Sequence, residues 1–527
     1  MAAAASFTTS ETAPVRLTML LAMLAVGSAA GAGPLPKPDR GGVPASTLYD
    51  YGVMGPPATP AIVAAANEAS GTPLPAGPYQ ANWESIRANY RAPGWFAGAK
   101  FGIFLHWGLY AVPAHHNEWY EKHMYDRDMA WHTGRFGPPE TFGYKDFIPR
   151  FMADKFDPGA WADLFRRAGA RLVMPTAQHH DNFALWDSAV TPFNARRMGP
   201  RRDLIGDLGA AVRRAGMRFG VSNHGMENFT FVNPAEAVEQ RLRERHADLF
   251  DPAWADFYNV ADRSPQAMSR FLSDWLARNF ELIDKYQPDL LYFDNGVNLR
   301  VLDPLKERVA AYYYNRAAGW GKEVSISTKW IAYAPDNDDT HQLGSIIDFE
   351  KVGTRSPTAI RPSPWAVDDA IGSTWGYTEG MRVSSAASII GKLVDTVSKG
   401  GFYLLNISPK ADGTIPQEQQ AVLLGIGAWL QRYGEAVYDT HPWTRFGDGD
   451  WRYTVRNGAL YAIGTVAGRD ATLASLTPAV GQVEQVEEVG GKPVAFTQDG
   501  AGLRLRFDGA PAADLPVALR ISGLRPN

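Results

Sequence analysis

The 527-residue chain contains no cysteine, which excludes both a disulfide framework and a catalytic thiol. It also lacks a long basic run, and its formal charge of −4 is spread along the sequence. Nucleic-acid binding and polybasic membrane attachment therefore find no support, and the expected partner is neutral. No Gly-rich phosphate loop of the expected form follows an early strand, which disfavours a doubly wound nucleotide-binding sheet. The apolar run Leu17 to Val26 is too short for a comfortable transmembrane helix, so stable membrane insertion is not expected.

That run lies between Arg16 and the small residues Ala30-Gly31-Ala32, giving the three parts of a secretory signal over residues 1–32, with cleavage near Ala32. Export of a chain without cysteine fits a bacterial periplasm or the surrounding medium. Residues 33–84, rich in Pro, Ala and Gly, read as a poorly structured lead-in without chemistry. Aromatic residues make up 12% of the chain, with 16 Trp. Aromatic faces commonly grip sugars.

From Trp95 onward short apolar runs alternate with longer amphipathic segments. The expected strands are Phe101 to Leu105, Leu172 to Thr176, Arg218 to Ser222, Leu290 to Phe293, Val324 to Ser327, Ser345 to Phe349 and Phe402 to Ile407. Helices are expected between them, among them Pro158 to Ala168, Gln266 to Tyr286 and Pro304 to Ala318. Several strands lack polar alternation, as they do when both faces are buried, so residues 85–439 read as a (β/α)8-type barrel. After Pro442 the period becomes two, with Gly and Asp turns, which predicts an antiparallel β-sandwich over 440–527.

Three apolar runs end in a polar or charged group: Phe101 to Leu105 before His106, Arg171 to Thr176 shortly before His179-His180, and Leu290 to Phe293 before Asp294. Glu350 follows Ile346 to Phe349 in the same way. In a barrel all of these fall on the C-terminal rim, where active sites lie. Two carboxylates from different strand ends suit glycoside hydrolysis, one attacking or activating water and one protonating the leaving oxygen. Asp294 and Glu350 are the candidate catalytic pair. The histidines admit packing, metal ligation, or hydrogen bonding to sugar hydroxyls. The first strand carries His106-Trp107-Gly108 instead of the His-x-His of metal-dependent barrel hydrolases, so neither a metal nor another cofactor is expected.

The stretch Lys100 to Pro113 with Asn117-Glu-Trp-Tyr120 closely resembles the first-strand signature of α-L-fucosidases of glycoside hydrolase family 29. So do Gln178 to Trp186, Val397 to Pro409 with Asp412-Gly413, and Gly434 to Tyr438 with Pro442-Trp443. The resemblance spans about 95–443. It implies a retaining, exo-acting enzyme that removes terminal α-L-fucosyl units from fucosylated oligosaccharides, with Asp294 as nucleophile and Glu350 as acid/base. Substrate contacts carry over to His106, Glu118, Trp119, His179, His180 and Tyr292, with Trp107 as a neighbour. The chain departs from the family at Asn295-Gly296, where Asp-Gly is frequent, and at Trp365-Ala366, which lacks a glutamate found in some members. Ser222 replaces a tyrosine found in some relatives, with His224 just beyond. A metal-dependent barrel hydrolase and a noncatalytic fucose-binding protein are the alternatives.

Overall fold

Eight buried strands close into a parallel barrel in the order β1 to β8. They are β1 (Phe101–Leu105), β2 (Leu172–Gln178), β3 (Arg218–Asn223), β4 (Leu290–Phe293), β5 (Ser325–Lys329), β6 (Ile346–Glu350), β7 (Trp365–Ala370) and β8 (Gly401–Ile407). A computed structural model describes residues 58–329, 333, 344–509 and 515–524. The expected signal segment and residues 33–57 of the lead-in lie outside the described residues.

Period two along each strand decides what enters the barrel. The lower interior is apolar, filled by Phe104, Leu172, Met174, Leu290, Tyr292, Ile346, Ala366, Phe402 and Leu404, with Phe96 packed among them. Further along five of the strands, inward positions are polar or charged: His106 two residues after Phe104, His224 after Ser222, Asp294 after Tyr292, Glu350 after Asp348, and Asn406 after Leu404. The register places Ser222 beside Tyr292, Lys329 beside Asp348 and Glu350 beside Asp368. A dry floor and a polar mouth thus follow from one alternation carried round the barrel.

The outer helices start at defined caps. Asp157 accepts from Gly159 N and Ala160 N ahead of Pro158–Arg167, and Ser264 accepts from Ala267 N ahead of Pro265–Tyr286. Side-chain oxygens satisfy otherwise unpaired first-turn amides, and Pro at the first helical position preorganises the turn.

Beyond the barrel come β9 (His441–Asp448), β10 (Trp451–Arg456), β11 (Ala459–Gly464), β12 (Asp470–Leu473), β13 (Gly481–Glu488), β14 (Lys492–Pro493), β15 (Ala495–Asp499), β16 (Gly502–Arg506) and β17 (Val517–Leu524). They form two antiparallel sheets, β14-β13-β17-β11-β10-β9 and β12-β16-β15. Arg452 ties this region to the barrel through Asp395 at 2.7 Å, and Trp429 donates to Pro516 O at 2.6 Å.

Two elements differ from expectation. Pro60–Ala69, within the segment read as poorly structured, is a helix capped by Thr59, with Val63 and Ala66 buried. Its Ala-rich composition carries high helix propensity despite weak periodicity. Strand β7 was not anticipated, because Asp368-Asp369 interrupts its apolar pattern and Asp is depleted in strands. Asp368 is buried among the mouth carboxylates and Asp369 pairs with Lys392 at 2.6 Å.

Candidate active site

Four imidazoles gather at the mouth. The ring of His106 lies 5.5 Å from His179 and 5.4 Å from His224, and that of His180 lies 4.2 Å from His179. Burial holds His106 and His179 well below the usual imidazole range, and neighbouring imidazoles lower them further. Burial lowers His180 to about 3, although Asp294 opposes this. These three rings are neutral at neutral pH.

Their tautomers follow from their partners. Asn406 Nδ2 donates to Trp375 O at 2.8 Å, which turns Oδ1 toward His106. His106 therefore donates from Nδ1 to Asn406 Oδ1 at 2.7 Å, and its Nε2 is an acceptor. His180 Nδ1 lies 3.1 Å from both His224 O and Glu227 Oε2, so it carries the hydrogen, and Nε2 is again bare. Burial, and then Asp294, push Glu227 well above the usual carboxyl range, so it sits there as a neutral acid. Two bare Nε2 atoms at one mouth are acceptors for hydroxyl donors.

Asp294 is nine-tenths buried. Burial alone would raise its carboxyl, but Lys329 and then His224 pull it well below the usual range. Lys329 Nζ lies 3.2 Å from Asp294 Oδ1 and 3.8 Å from Glu350 Oε2. These two oxygens are therefore no more than about 7 Å apart, a bound that accommodates the roughly 5–5.5 Å of a retaining carboxyl pair. Lys329 is also 4.0 Å from Asp368 Oδ2.

Beneath this layer, Tyr292 Oη donates to Asp348 Oδ2 at 3.2 Å and lies 3.4 Å from Asp368 Oδ2. Burial raises both carboxyls, Asp368 to about 7, and the two hydrogen-bond each other. Glu118 is buried, accepts from Gly376 N at 3.2 Å, and is raised chiefly by burial. Trp119 stands edge-on to His180 at 6.0 Å, with Lys122 Nζ 5.2 Å above its ring. Trp375 completes the wall, 5.3 Å from His106 and 5.5 Å from Lys329 Nζ.

The structure thus brings His106, His179, His180, Asp294 and Glu350 to one mouth, with Glu118 and Trp119 on its wall. Trp107 is not there. It packs 5.0–5.2 Å from Phe151, Phe156 and Trp161 and donates to Lys410 O at 2.8 Å. As the strand neighbour of His106, period two turns it outward. Tyr292 points its hydroxyl at the buried carboxyls below, an arrangement unlike that of a direct sugar contact. Lys329, Glu227, Asp348, Asp368 and Trp375 were not anticipated. Lys329 ends the mostly polar strand Ser325-Ile-Ser-Thr-Lys329, which carries no apolar-run signal, and the strand was expected to stop at Ser327.

His180, His224 and Asp294 present ligand atoms within 4.8 Å of one another, as do His106, His179 and His224. A divalent cation on Asp294 would meet the Lys329 ammonium on the same carboxylate, a repulsion that favours substrate hydroxyls as the partners of these imidazoles.

A closed parallel barrel with paired carboxylates at the C-terminal ends of its strands is an architecture that glycoside hydrolases use. The chain belongs to the α-L-fucosidase family, whose description, Alpha-L-fucosidase, matches residues 66–435. It is 32% identical over 415 residues to the tissue α-L-fucosidase of Rattus norvegicus, covering 76% of this chain and 81% of the relative. The human tissue enzyme is 32% identical over 403 residues, covering 73% and 78% of the two chains. The crystal structure of Thermotoga maritima α-fucosidase superposes with a TM-score of 0.66 at 31% identity, over 84% of this chain and 100% of that one. The same bacterial enzyme has also been solved in complex with fucose, matching at 30% identity and a TM-score of 0.66 over 84% of this chain and 100% of that one.

Proposed function

We propose that the chain is an exo-acting, retaining α-L-fucosidase that works by double displacement, with Asp294 as nucleophile and Glu350 as acid/base. The observation that carries this is the single ammonium of Lys329 touching both carboxyl groups beside a ring of neutral imidazoles. Asp294, ionised by Lys329 and His224, attacks the anomeric carbon while Glu350, as general acid, gives a proton to the leaving oxygen. Glu350 then takes a proton from water, which displaces Asp294 and releases fucose with retained configuration. The bare Nε2 atoms of His106 and His180 accept from ring hydroxyls, and the aromatic rings of Trp119 and Trp375 offer apolar surface to the 5-methyl group.

Retention is read by proton NMR of the first-formed anomer from an aryl α-L-fucoside: α-fucose is expected, and β-fucose as initial product overturns the mechanism. Asp294→Ala should leave the fold intact and lower turnover by several orders of magnitude. Near-normal turnover would sink the assignment.

We further propose export to a periplasm or the medium after cleavage near Ala32. Arg16, the apolar run and the small residues support it, and no helix among the described residues is long and apolar enough to cross a membrane. N-terminal sequencing of the mature protein should begin near residue 33, and an intact Met1 on exported protein would contradict cleavage.

A further inference from the structure

We propose that His224 is a positioning residue for the nucleophile: held by Ser222, it donates its Nδ1 hydrogen to Asp294 and keeps that carboxylate ionised and aligned. The inference rests on the reading of Asp294 as nucleophile and adds a residue to that machinery.

Ser222 and His224 are consecutive inward positions of β3 and its end. The small serine leaves room for the imidazole above it, and the Ser222 hydroxyl hydrogen-bonds His224 Nε2. On the other side of the ring, Nδ1 lies 3.2 Å from Asp294 Oδ2. The contact with Asp294 calls for a hydrogen on Nδ1. With the hydrogen on Nε2, Nδ1 would aim a lone pair at a carboxylate oxygen. With the hydrogen on Nδ1, Ser222 donates to Nε2 and His224 donates to Asp294.

His180 cannot substitute for it. His180 Nε2 is 3.7 Å from the same Oδ2, but its hydrogen is committed on Nδ1 to the His224 carbonyl. The two imidazoles therefore divide the work: His224 serves the carboxylate and His180 keeps a lone pair for substrate. The other groups facing the His224 ring are His106, 5.4 Å away from β1, His179, 5.1 Å away beyond β2, and Tyr292, 5.8 Å away on β4. Lys329 holds the opposite oxygen of Asp294.

A hydrogen bond to the charged form of a carboxyl favours that form. In the first step the bond from C1 to the leaving oxygen breaks, the Glu350 proton moves to that oxygen, and a bond from C1 to Asp294 forms, so Asp294 loses its charge. In the second step water attacks C1 and gives its proton to Glu350, and Asp294 departs with its charge restored. The donor favours the free enzyme with an ionised nucleophile and the departure of Asp294 in the second step.

The test is the pH profile of kcat/KM on an aryl α-L-fucoside for wild type, His224→Ala, His224→Asn and Ser222→Ala. His224→Ala should move the acid limb up by about one unit, an additional loss of about tenfold below it, and lower kcat together with KM as the glycosyl-enzyme accumulates. His224→Asn, whose amide nitrogen is bonded to Cγ as Nδ1 is, should restore the limb, and Ser222→Ala should shift it in the same direction by less. An unmoved limb in folded His224→Ala, or His224→Asn as impaired as His224→Ala, overturns the proposal while leaving the function intact. If His224→Ala loses its near-UV circular dichroism, Ser222→Ala decides, and a wild-type profile there overturns the proposal. A wild-type enzyme inactive on aryl fucosides overturns the function and this inference with it.

Discussion

Lys329 Nζ lies 3.2 Å from Asp294 Oδ1, a buried ion pair at the centre of the barrel mouth. Burial opposes the charge on Lys329, but Asp294, Glu350 and Asp368 together hold the ammonium well above the usual lysine range. One cation thus makes an ionised nucleophile tolerable in a site that excludes most water. The neighbouring carboxyls Glu227 and Asp348 are pushed toward their neutral forms by burial.

Removing that cation should be costly in two ways. Breaking a buried pair leaves the remaining charge unsolvated, a destabilisation of about 3–5 kcal/mol. For Asp294 the folded value is depressed, so its contribution is present above 3.8 and is lost as pH falls through the folded value. For Lys329 it is raised, so its contribution is present below 10.5 and is lost as pH rises further. Urea unfolding of Lys329→Met across this range should show its full deficit between these bounds and a shrinking one outside them. A deficit independent of pH would contradict the pairing. Turnover should fall by at least about a hundredfold, as expected when a buried charge partner of the reacting group is lost.

Asp348→Asn should act in the opposite direction on stability. Burial, and then Asp368, hold the Asp348 carboxyl well above 3.8 in the folded state, so the folded protein binds that proton more tightly than the unfolded chain. Stability is then lost as pH rises from 3.8 toward the folded value. Asn imitates the protonated acid without that penalty. The melting temperature of Asp348→Asn should exceed that of wild type at pH 8 and match it near pH 4; equal temperatures at both would show that the carboxyl is ionised in the fold.

Much of this was legible in the sequence because one rule, an apolar strand ending in a polar group, is physically tied to the barrel rim. It found His106, Asp294 and Glu350. It stopped short where the strand itself was misjudged: β5 runs on through Thr328 to Lys329, and two further polar residues looked like a loop. Strand β7 was hidden because its two aspartates contradict strand composition, and their partners Tyr292 and Lys392 come from distant segments. Ser222 and His224 were both visible in the sequence, whereas the hydrogen bond between the Ser222 hydroxyl and His224 Nε2 required three dimensions.

Trp107 illustrates a site residue by adjacency that the fold makes structural. Its ring is buried among Phe151, Phe156 and Trp161. Trp107→Ala should cost about 3–5 kcal/mol, as large buried truncations do, while kcat/KM of the folded fraction stays within about threefold of wild type because no reacting group is touched. Trp119→Ala should do the reverse, raising KM with a small change in melting temperature. Chemical denaturation and steady-state kinetics on the two variants separate the roles, and a large KM effect in folded Trp107→Ala would return that residue to the site.

Glu350 is identified by what replaces it. Its carboxyl is held near Asp294 by Lys329, as the proposed acid/base requires. Glu350→Ala should lower kcat/KM by about 10²–10⁴ for fucosides with poor leaving groups, the usual worth of a positioned acid. Aryl fucosides that leave without protonation should still form the glycosyl-enzyme and stall before hydrolysis. Azide needs no general base, so it should enter the space vacated by the carboxyl, restore turnover, and yield a fucosyl azide of the same anomeric configuration as the substrate, because two displacements have occurred. Turnover indifferent to azide, or an inverted azide product, would place the acid/base elsewhere on the rim.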